Sequence, residues 1–214
     1  MKKKRLFISG IGTNVGKTVV SAILTEALQA DYWKPIQSGD LNYTDNMKVR
    51  ELVSNSISKF HPERFKLTEP LSPHASAKID KIKISLTDFK IPSTNNHLIV
   101  EGAGGLMVPI NHEGDLIIDL IKHLNLSVIL VSQNYLGSIN HTLLSIQELK
   151  SNKIPIEGLI FNGKPTPESE YIIEKISGVK TLFRIEHQEK LNSDAISKII
   201  AQTEYLKQNQ IALT

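Results

Sequence analysis

A glycine-rich loop, Gly10-Ile11-Gly12-Thr13-Asn14-Val15-Gly16-Lys17-Thr18, follows a short apolar run, Arg5 to Ser9. After it, Val19, Val20, Ile23, Leu24, Ala27 and Leu28 recur at the spacing of one helix face. This order of strand, glycine loop and helix constrains the chain more than any other feature. Glycines let successive backbone N–H groups turn inward, and a helix start adds partial positive charge, so the loop forms a nest for a chain of phosphates. In that context the motif reads as a phosphate-binding loop, with Lys17 reaching the outer phosphates and the Thr18 hydroxyl placed for Mg2+. The usual spacing puts the first glycine at position 11. Ile11 stands there, so a loop that starts at Gly10 is one residue longer. Gly12 to Val19 are the expected nucleotide contacts.

Strand-like and helix-like segments then alternate. His97 to Glu101, Ser127 to Val131 and Ile156 to Phe161 read as buried strands. Helices are expected near Asp115 to Leu124, after Gly137, near Pro167 to Ser177 and near Asp194 to Lys207. Continuous apolar strands alternating with helices predict an α/β fold, a doubly wound, mostly parallel sheet with helices on both faces. From Phe60 to Ser93 the periodicity fades and Pro62, Pro70, Pro73 and Pro92 enter, which predicts loops and an irregular excursion. At 214 residues the whole chain, 1–214, fits one phosphate-loop domain.

Composition narrows the function classes. The chain has no cysteine, so disulfides and thiolate zinc sites are excluded and a reducing compartment is compatible. The basic start, Lys2 to Arg5, is followed by too short an apolar stretch for a secretory signal, and no stretch of ~18 uncharged apolar residues exists to span a bilayer. A formal net charge of +3 is too small and scattered for a nucleic-acid surface. The expectation is a cytoplasmic protein that binds small anionic ligands, with neither membrane nor nucleic-acid partners.

Several further residues stand out on physical grounds. Pro35 forces an extended backbone at Lys34, which places that side chain near a strand end, where open α/β sheets bind ligands. Glu101 ends the buried run Leu98 to Val100, and a buried carboxylate requires a metal ion or a lysine to answer it. Asp45 suits a metal ligand alongside Thr18 and Glu101, and equally the N-cap of a helix through Met47, Val49 and Leu52. Gly102, Ala103, Gly104 and Gly105 carry no bulky side chain and would let ligands approach the backbone. Leu136, Gly137, Ser138, Ile139 and Asn140 open a helix whose free N–H groups suit a carboxylate. His141 reads as structural, and the other histidines lack metal-ligand spacing.

In order and spacing, the phosphate loop, Tyr32-Trp33-Lys34-Pro35-Ile36-Gln37-Ser38-Gly39, Asp45, Glu69 to His74, Val100 to Gly105, Leu136 to His141 and Asn162 resemble the dethiobiotin synthetases, from about Phe7 to Asn162. The resemblance implies an ATP- and Mg2+-dependent ligase of biotin synthesis that closes a cyclic urea from diaminopelargonate and CO2 as a homodimer. It implies that Lys17, Lys34 and Ser38 are catalytic, with Lys34 on the carbamate. Nucleotide contacts would extend from the loop to Asp45, Glu101 to Gly104, Asn162 and Gly163, with Asn162 reading the adenine edge. Thr13, Lys34, Ser38, Leu136, Gly137, Ser138 and Asn140 would hold the substrate. Two departures are visible: Tyr135 stands where many members carry Lys or Arg, and Phe183-Arg184-Ile185-Glu186 replaces a Gly-x-Ile-Pro stretch on the adenine side.

Two other readings stay open. A cobyrinate-type ATP-dependent synthetase shares a similar loop and lysine motif, but usually carries a glutaminase cysteine that this chain lacks. A partitioning or positioning ATPase shares the nucleotide loop, but places a lysine near its front, at Ile11 here, and often ends in a basic helix. The end from Ala201 to Thr214 is not strongly basic.

Overall fold

A computed structural model describes residues 3–186, 188 and 190–211. Met1 and Lys2 of the basic lead-in and residues 212–214 of the tail lie outside them. In chain order the elements begin with β1 (Arg5–Gly10), α1 (Lys17–Ala27), β2 (Asp31–Trp33), β3 (Ile36–Ser38), α2 (Asp45–Leu52), β4 (Phe60–His61), β5 (Phe65–Leu67) and α3 (Pro73–Ile79). After a short 3₁₀ turn (Leu86–Asp88) come β6 (Leu98–Gly105), α4 (Ile117–Leu124), β7 (Ser127–Gln133), α5 (Ser138–Ser151), β8 (Ile156–Asn162), α6 (Pro167–Ser177), β9 (Thr181–Ile185), α7 (Ser193–Gln202) and α8 (Glu204–Ile211).

Seven strands form one sheet in the order β4-β2-β6-β1-β7-β8-β9, and every pairing is parallel. Alternate residues of each strand feed two cores. Phe7, Leu98, Val100, Leu130 and Phe161 pack with Ile117, Ile121, Ile146, Leu149 and Ile173 of α4, α5 and α6 on one face. On the other, Ile8, Ile99, Ile129 and Ile160 meet Val20, Ile23, Leu24, Ile196 and Ile200 of α1 and α7. Burial on both faces is why the strands read as unbroken apolar runs. The chain builds the sheet outward from β1 first through β2 and β4, then through β7, β8 and β9. The reversal at β1 opens a crevice at the carboxyl ends of the central strands, where such sheets bind ligands.

Three expectations are revised. The proline-rich stretch is more regular than its periodicity suggests: β3 and β5 pair in a small parallel sheet, and Pro73, read as a breaker, opens α3 at its first turn, where proline's missing N–H costs nothing. The helix expected from Asp194 to Lys207 is two, divided at Thr203, whose backbone is extended and whose hydroxyl donates to the Ile199 carbonyl. Three strands of the sheet, β2, β4 and β9, are not among the four expected: β2 and β4 are only three and two residues long, and Arg184 puts a charge in β9. Among the described residues, no helix is long and apolar enough to cross a membrane.

Candidate active site

The glycine loop leaves the central strand β1 and enters α1 at Lys17, at the carboxyl edge of the sheet. A Cβ at Gly10 would lie 2.5 Å from Val15 Cγ2, so the tight entry requires glycine. Gly16 sits at φ +101°, a left-handed conformation, and a Cβ there would collide with the Asn162 amide. That amide donates to the Val15 carbonyl at 3.0 Å, which ties the end of β8 to the loop across the sheet. No side chain caps the start of α1, so its first-turn N–H groups are left for a ligand. Lys17 folds over the loop and donates to the Gly12 carbonyl at 2.8 Å. Burial and the neighbouring Lys34 charge lower its pKa to about 8, against the pull of Glu101 and Asp45. Substituting Gly16→Ala should therefore push Asn162 out of the loop and weaken ATP binding by roughly tenfold or more, equivalent to ~1.4 kcal/mol, in a calorimetric titration. Unchanged affinity would show that the loop tolerates the displacement.

Beside the loop lies a buried charge cluster. Lys34, 5% exposed, follows the end of β2 in the extended geometry that Pro35 imposes. Its ammonium stands 2.8 Å from Asp45 Oδ2 and 3.0 Å from Glu101 Oε1. Glu101, 1% exposed, also accepts at Oε1 from the Thr18 hydroxyl (2.9 Å) and at Oε2 from the Tyr32 hydroxyl (2.8 Å). Asp45 Oδ1 meets Lys48 at 3.1 Å. Burial alone would lower the Lys34 pKa, but Glu101 and Asp45 outweigh it and hold it above its ordinary value. Burial likewise opposes ionisation of Asp45, and Lys34 overcomes it to hold the carboxyl below its usual range. Tyr32 is raised well above its ordinary pKa, by burial first and then by Glu101, so its hydroxyl stays a donor.

The structure thus brings Thr18, Lys34, Asp45 and Glu101 together. The helix-cap reading of Asp45 does not hold: Thr44, with an extended backbone, accepts from the Met47 N–H and caps α2, while Asp45 is the first helical residue and turns its carboxylate to Lys34. Thr18, Asp45 and Glu101 present oxygen donors only, which fits a hard divalent cation such as Mg2+. Ser38, at the end of β3, has a buried hydroxyl with no protein partner, as a ligand contact requires. Gly102 and Gly104 lie in β6 rather than in a loop, and the space beside them is filled by Phe7 and Val108, so their small size serves packing. Gly105 does face the phosphate loop, its would-be Cβ 3.3 Å from the Gly10 carbonyl.

The third part of the edge is the start of α5, after β7. Gly137 occupies the N-cap with φ +105°, Ser138 is buried, Leu136 is fully exposed, and the Tyr135 hydroxyl pairs with His141 Nδ1 at 2.7 Å. Gly163, after Asn162, has φ +99° and donates its N–H to the Ile185 carbonyl. Arg184, in the segment that departs from the expected adenine-side pattern, pairs with Glu170, which also accepts from Asn134. The Asn134 amide also donates to the Lys164 carbonyl, so this cluster joins the segments that follow β7 and β8.

Comparison with known proteins bears on family and fold. A family model described as an AAA domain matches residues 4–211. The ATP-dependent dethiobiotin synthetase of Christiangramia forsetii is 56% identical over 86% of this chain and 88% of its own length. That of Cytophaga hutchinsonii is 49% identical over 91% and 94%. Among solved structures, a putative plasmid partition protein from Borrelia burgdorferi bound to AMPPNP superposes with a TM-score of 0.61 at 15% identity, covering 100% of both chains. The septum site-determining protein MinD of Pyrococcus horikoshii, complexed with Mg-ADP, gives 0.56 at 14% identity, covering 98% of this chain and 99% of its own. At such identities these neighbours establish the phosphate-loop fold alone, whereas the sequence relatives separate the chain from partitioning ATPases. The chain belongs to the ATP-dependent dethiobiotin synthetase family.

Proposed function

We propose that this enzyme carboxylates diaminopelargonate with CO2 and closes the ring to dethiobiotin at the expense of ATP. One amine adds to CO2 and loses a proton to give a carbamate, whose oxygen is a poor leaving group. Transfer of the γ-phosphoryl to that oxygen releases ADP and makes a mixed anhydride. The second amine then attacks the carbonyl and loses a proton, the carbon–oxygen bond breaks, and the phosphate leaves with that bond's electron pair, giving the neutral cyclic urea. Such chemistry needs cations more than bases, because an anionic carbamate must approach an anionic triphosphate. Lys17 neutralises the phosphates, Lys34 holds the carbamate, and Ser38 hydrogen-bonds the carbamate or its amine. Thr13 lies between nucleotide and substrate, and the start of α5 receives the substrate carboxylate through Leu136, Gly137, Ser138 and Asn140. Bound Mg2+ would supply charge neutralisation at the phosphates, held by Thr18, Asp45 and Glu101.

The observation that carries this reading is the buried ammonium of Lys34 between Asp45 and Glu101, beside the phosphate loop. The test is a product assay with diamine, bicarbonate, Mg2+ and ATP. Mass spectrometry should find the cyclic urea in step with ADP, and ADP formation without it would refute the ligase reading. The metal assignment has its own check. Glu101→Gln should raise the Mg2+ concentration for half activity about tenfold or more, the scale seen when a metal site loses a supporting group. An unchanged Mg2+ titration would assign the carboxylate another task.

The working unit is a homodimer of one phosphate-loop domain spanning 1–214. What supports pairing is an exposed apolar set on α5, α6 and the loop before α5: Tyr135, Leu136, Leu144, Tyr171 and Ile176. A cytoplasmic setting, with neither membrane nor nucleic-acid partners, suits the small-molecule substrates and the absence of cysteine.

A further inference from the structure

Glu101 has two oxygens in different settings. Oε1 faces Thr18 and Lys34, whereas Oε2 accepts, among the described residues, one hydrogen bond, that of the Tyr32 hydroxyl at 2.8 Å. Tyr32 is the middle residue of β2, whose two flanking strands immobilise it. Its register partners are Ile99 of β6 and Phe60 of β4, and its N–H donates to the Lys59 carbonyl at 2.8 Å. The ring is wholly buried, packed with the core against α1 and tilted on Phe60 with centroids 6.4 Å apart. A side chain held this way cannot swing, so its hydroxyl marks a fixed point 2.8 Å from the carboxylate.

We propose that Tyr32 is a positioning residue for catalysis: its hydroxyl pins Oε2 of Glu101 and so aims Oε1 at Thr18, Lys34 and the divalent cation. The proposal rests on the reading of Glu101 as a metal ligand. A tyrosine kept only for packing has no need to meet the one buried carboxylate of the site, and a phenylalanine would fill the same space. Without the hydroxyl, Oε2 is left unanswered in the interior, and the carboxylate gains a reason to rotate toward the loop donors. The hydroxyl itself lies behind Glu101 and is fully buried, so its influence runs through the carboxylate.

The neighbouring residue supplies a control. Trp33 lies on the opposite face of β2, in the other core, and donates its indole N–H to the Pro62 carbonyl at 3.1 Å. Trp33→Phe removes a hydrogen bond from the same strand without touching Glu101.

The experiment measures Mn2+ binding by electron paramagnetic resonance to the full chain saturated with AMPPNP, for the native protein, Tyr32→Phe, Trp33→Phe and Glu101→Gln. Tyr32→Phe should weaken Mn2+ binding about tenfold, the lower end of the range for groups that orient metal ligands. AMPPNP affinity in EDTA should stay within about twofold, and Trp33→Phe should leave Mn2+ affinity unchanged. If Glu101→Gln weakens Mn2+ but Tyr32→Phe does not, the positioning role is wrong while the metal reading stands. If Trp33→Phe weakens Mn2+ as much as Tyr32→Phe, general loosening of β2 explains the effect and the proposal falls. If Glu101→Gln leaves Mn2+ unchanged, the metal reading fails and takes the proposal with it.

Discussion

Lys34→Ala is expected to lower turnover by roughly 10²-fold or more at saturating ATP and diamine, the scale of removing a preorganised charge from a transition state. The reason is geometric. Lys34 is buried, fixed by Pro35, and held at 2.8 and 3.0 Å by Asp45 and Glu101, so no flexible surface lysine can replace it. The substitution also leaves two carboxylates facing a vacated position, and breaking a buried pair in this way costs ~3–5 kcal/mol. That penalty applies to the empty protein. With Mg2+ and nucleotide bound, a cation again answers the carboxylates, so the loaded variant should melt close to the loaded native enzyme while its turnover stays low. Measuring both under saturating ligand separates chemistry from folding. Normal turnover in a folded, saturated Lys34→Ala enzyme would remove Lys34 from the reaction.

The parts of this site that were readable from the chain are those whose meaning is local. The glycines around Lys17, the proline after Lys34 and the carboxylate that ends an apolar run each carry their conformational consequence within two or three residues. Tyr32 was hidden for the opposite reason: within Asp31–Trp33 it is one more apolar-bodied strand residue, and only the pairing of β2 with β6 brings its hydroxyl to Glu101, 69 residues away. Asn162 stood out as a nucleotide contact, yet its bond to Val15 spans 147 residues and follows from sheet order. At Asp45 the cap reading failed because the preceding Thr44, which the sequence reading passed over, caps α2, while the Lys34 ammonium takes the Asp45 carboxylate. Strand β9 escaped because Arg184 interrupts its alternation. Its charge is answered by Glu170 on α6, a tertiary compensation that no local pattern records.

A mixture of two inactive variants should regain activity if each substrate spans two subunits, the carbamate end on one and the carboxylate end on the other. The diamine is a nine-carbon chain, about 10 Å when extended, since each carbon advances it by roughly a third of the ~3.3–3.6 Å of one extended residue. A group that anchors one end at Lys34 therefore needs a distant partner for its carboxylate. The start of α5 carries the right donors, and it lies beside exposed Tyr135, Leu136, Leu144, Tyr171 and Ile176, the surface best suited to face a second copy. A two-fold interface presents both copies of that surface, so each cradle would meet the partner's α5. Lys34→Ala disables one half-site. Asn140→Glu disables the other by placing a negative charge in the first turn of α5, where glutamate suits the helix and leaves folding intact. When the two variants are unfolded, mixed in equal amounts and refolded, random pairing puts both substitutions in about half of the dimers, and each of these holds one intact site. Activity should then return to about a quarter of the native value, from near zero in either variant alone. No recovery, with subunit exchange confirmed by mass spectrometry, would place both ends of the substrate on a single chain.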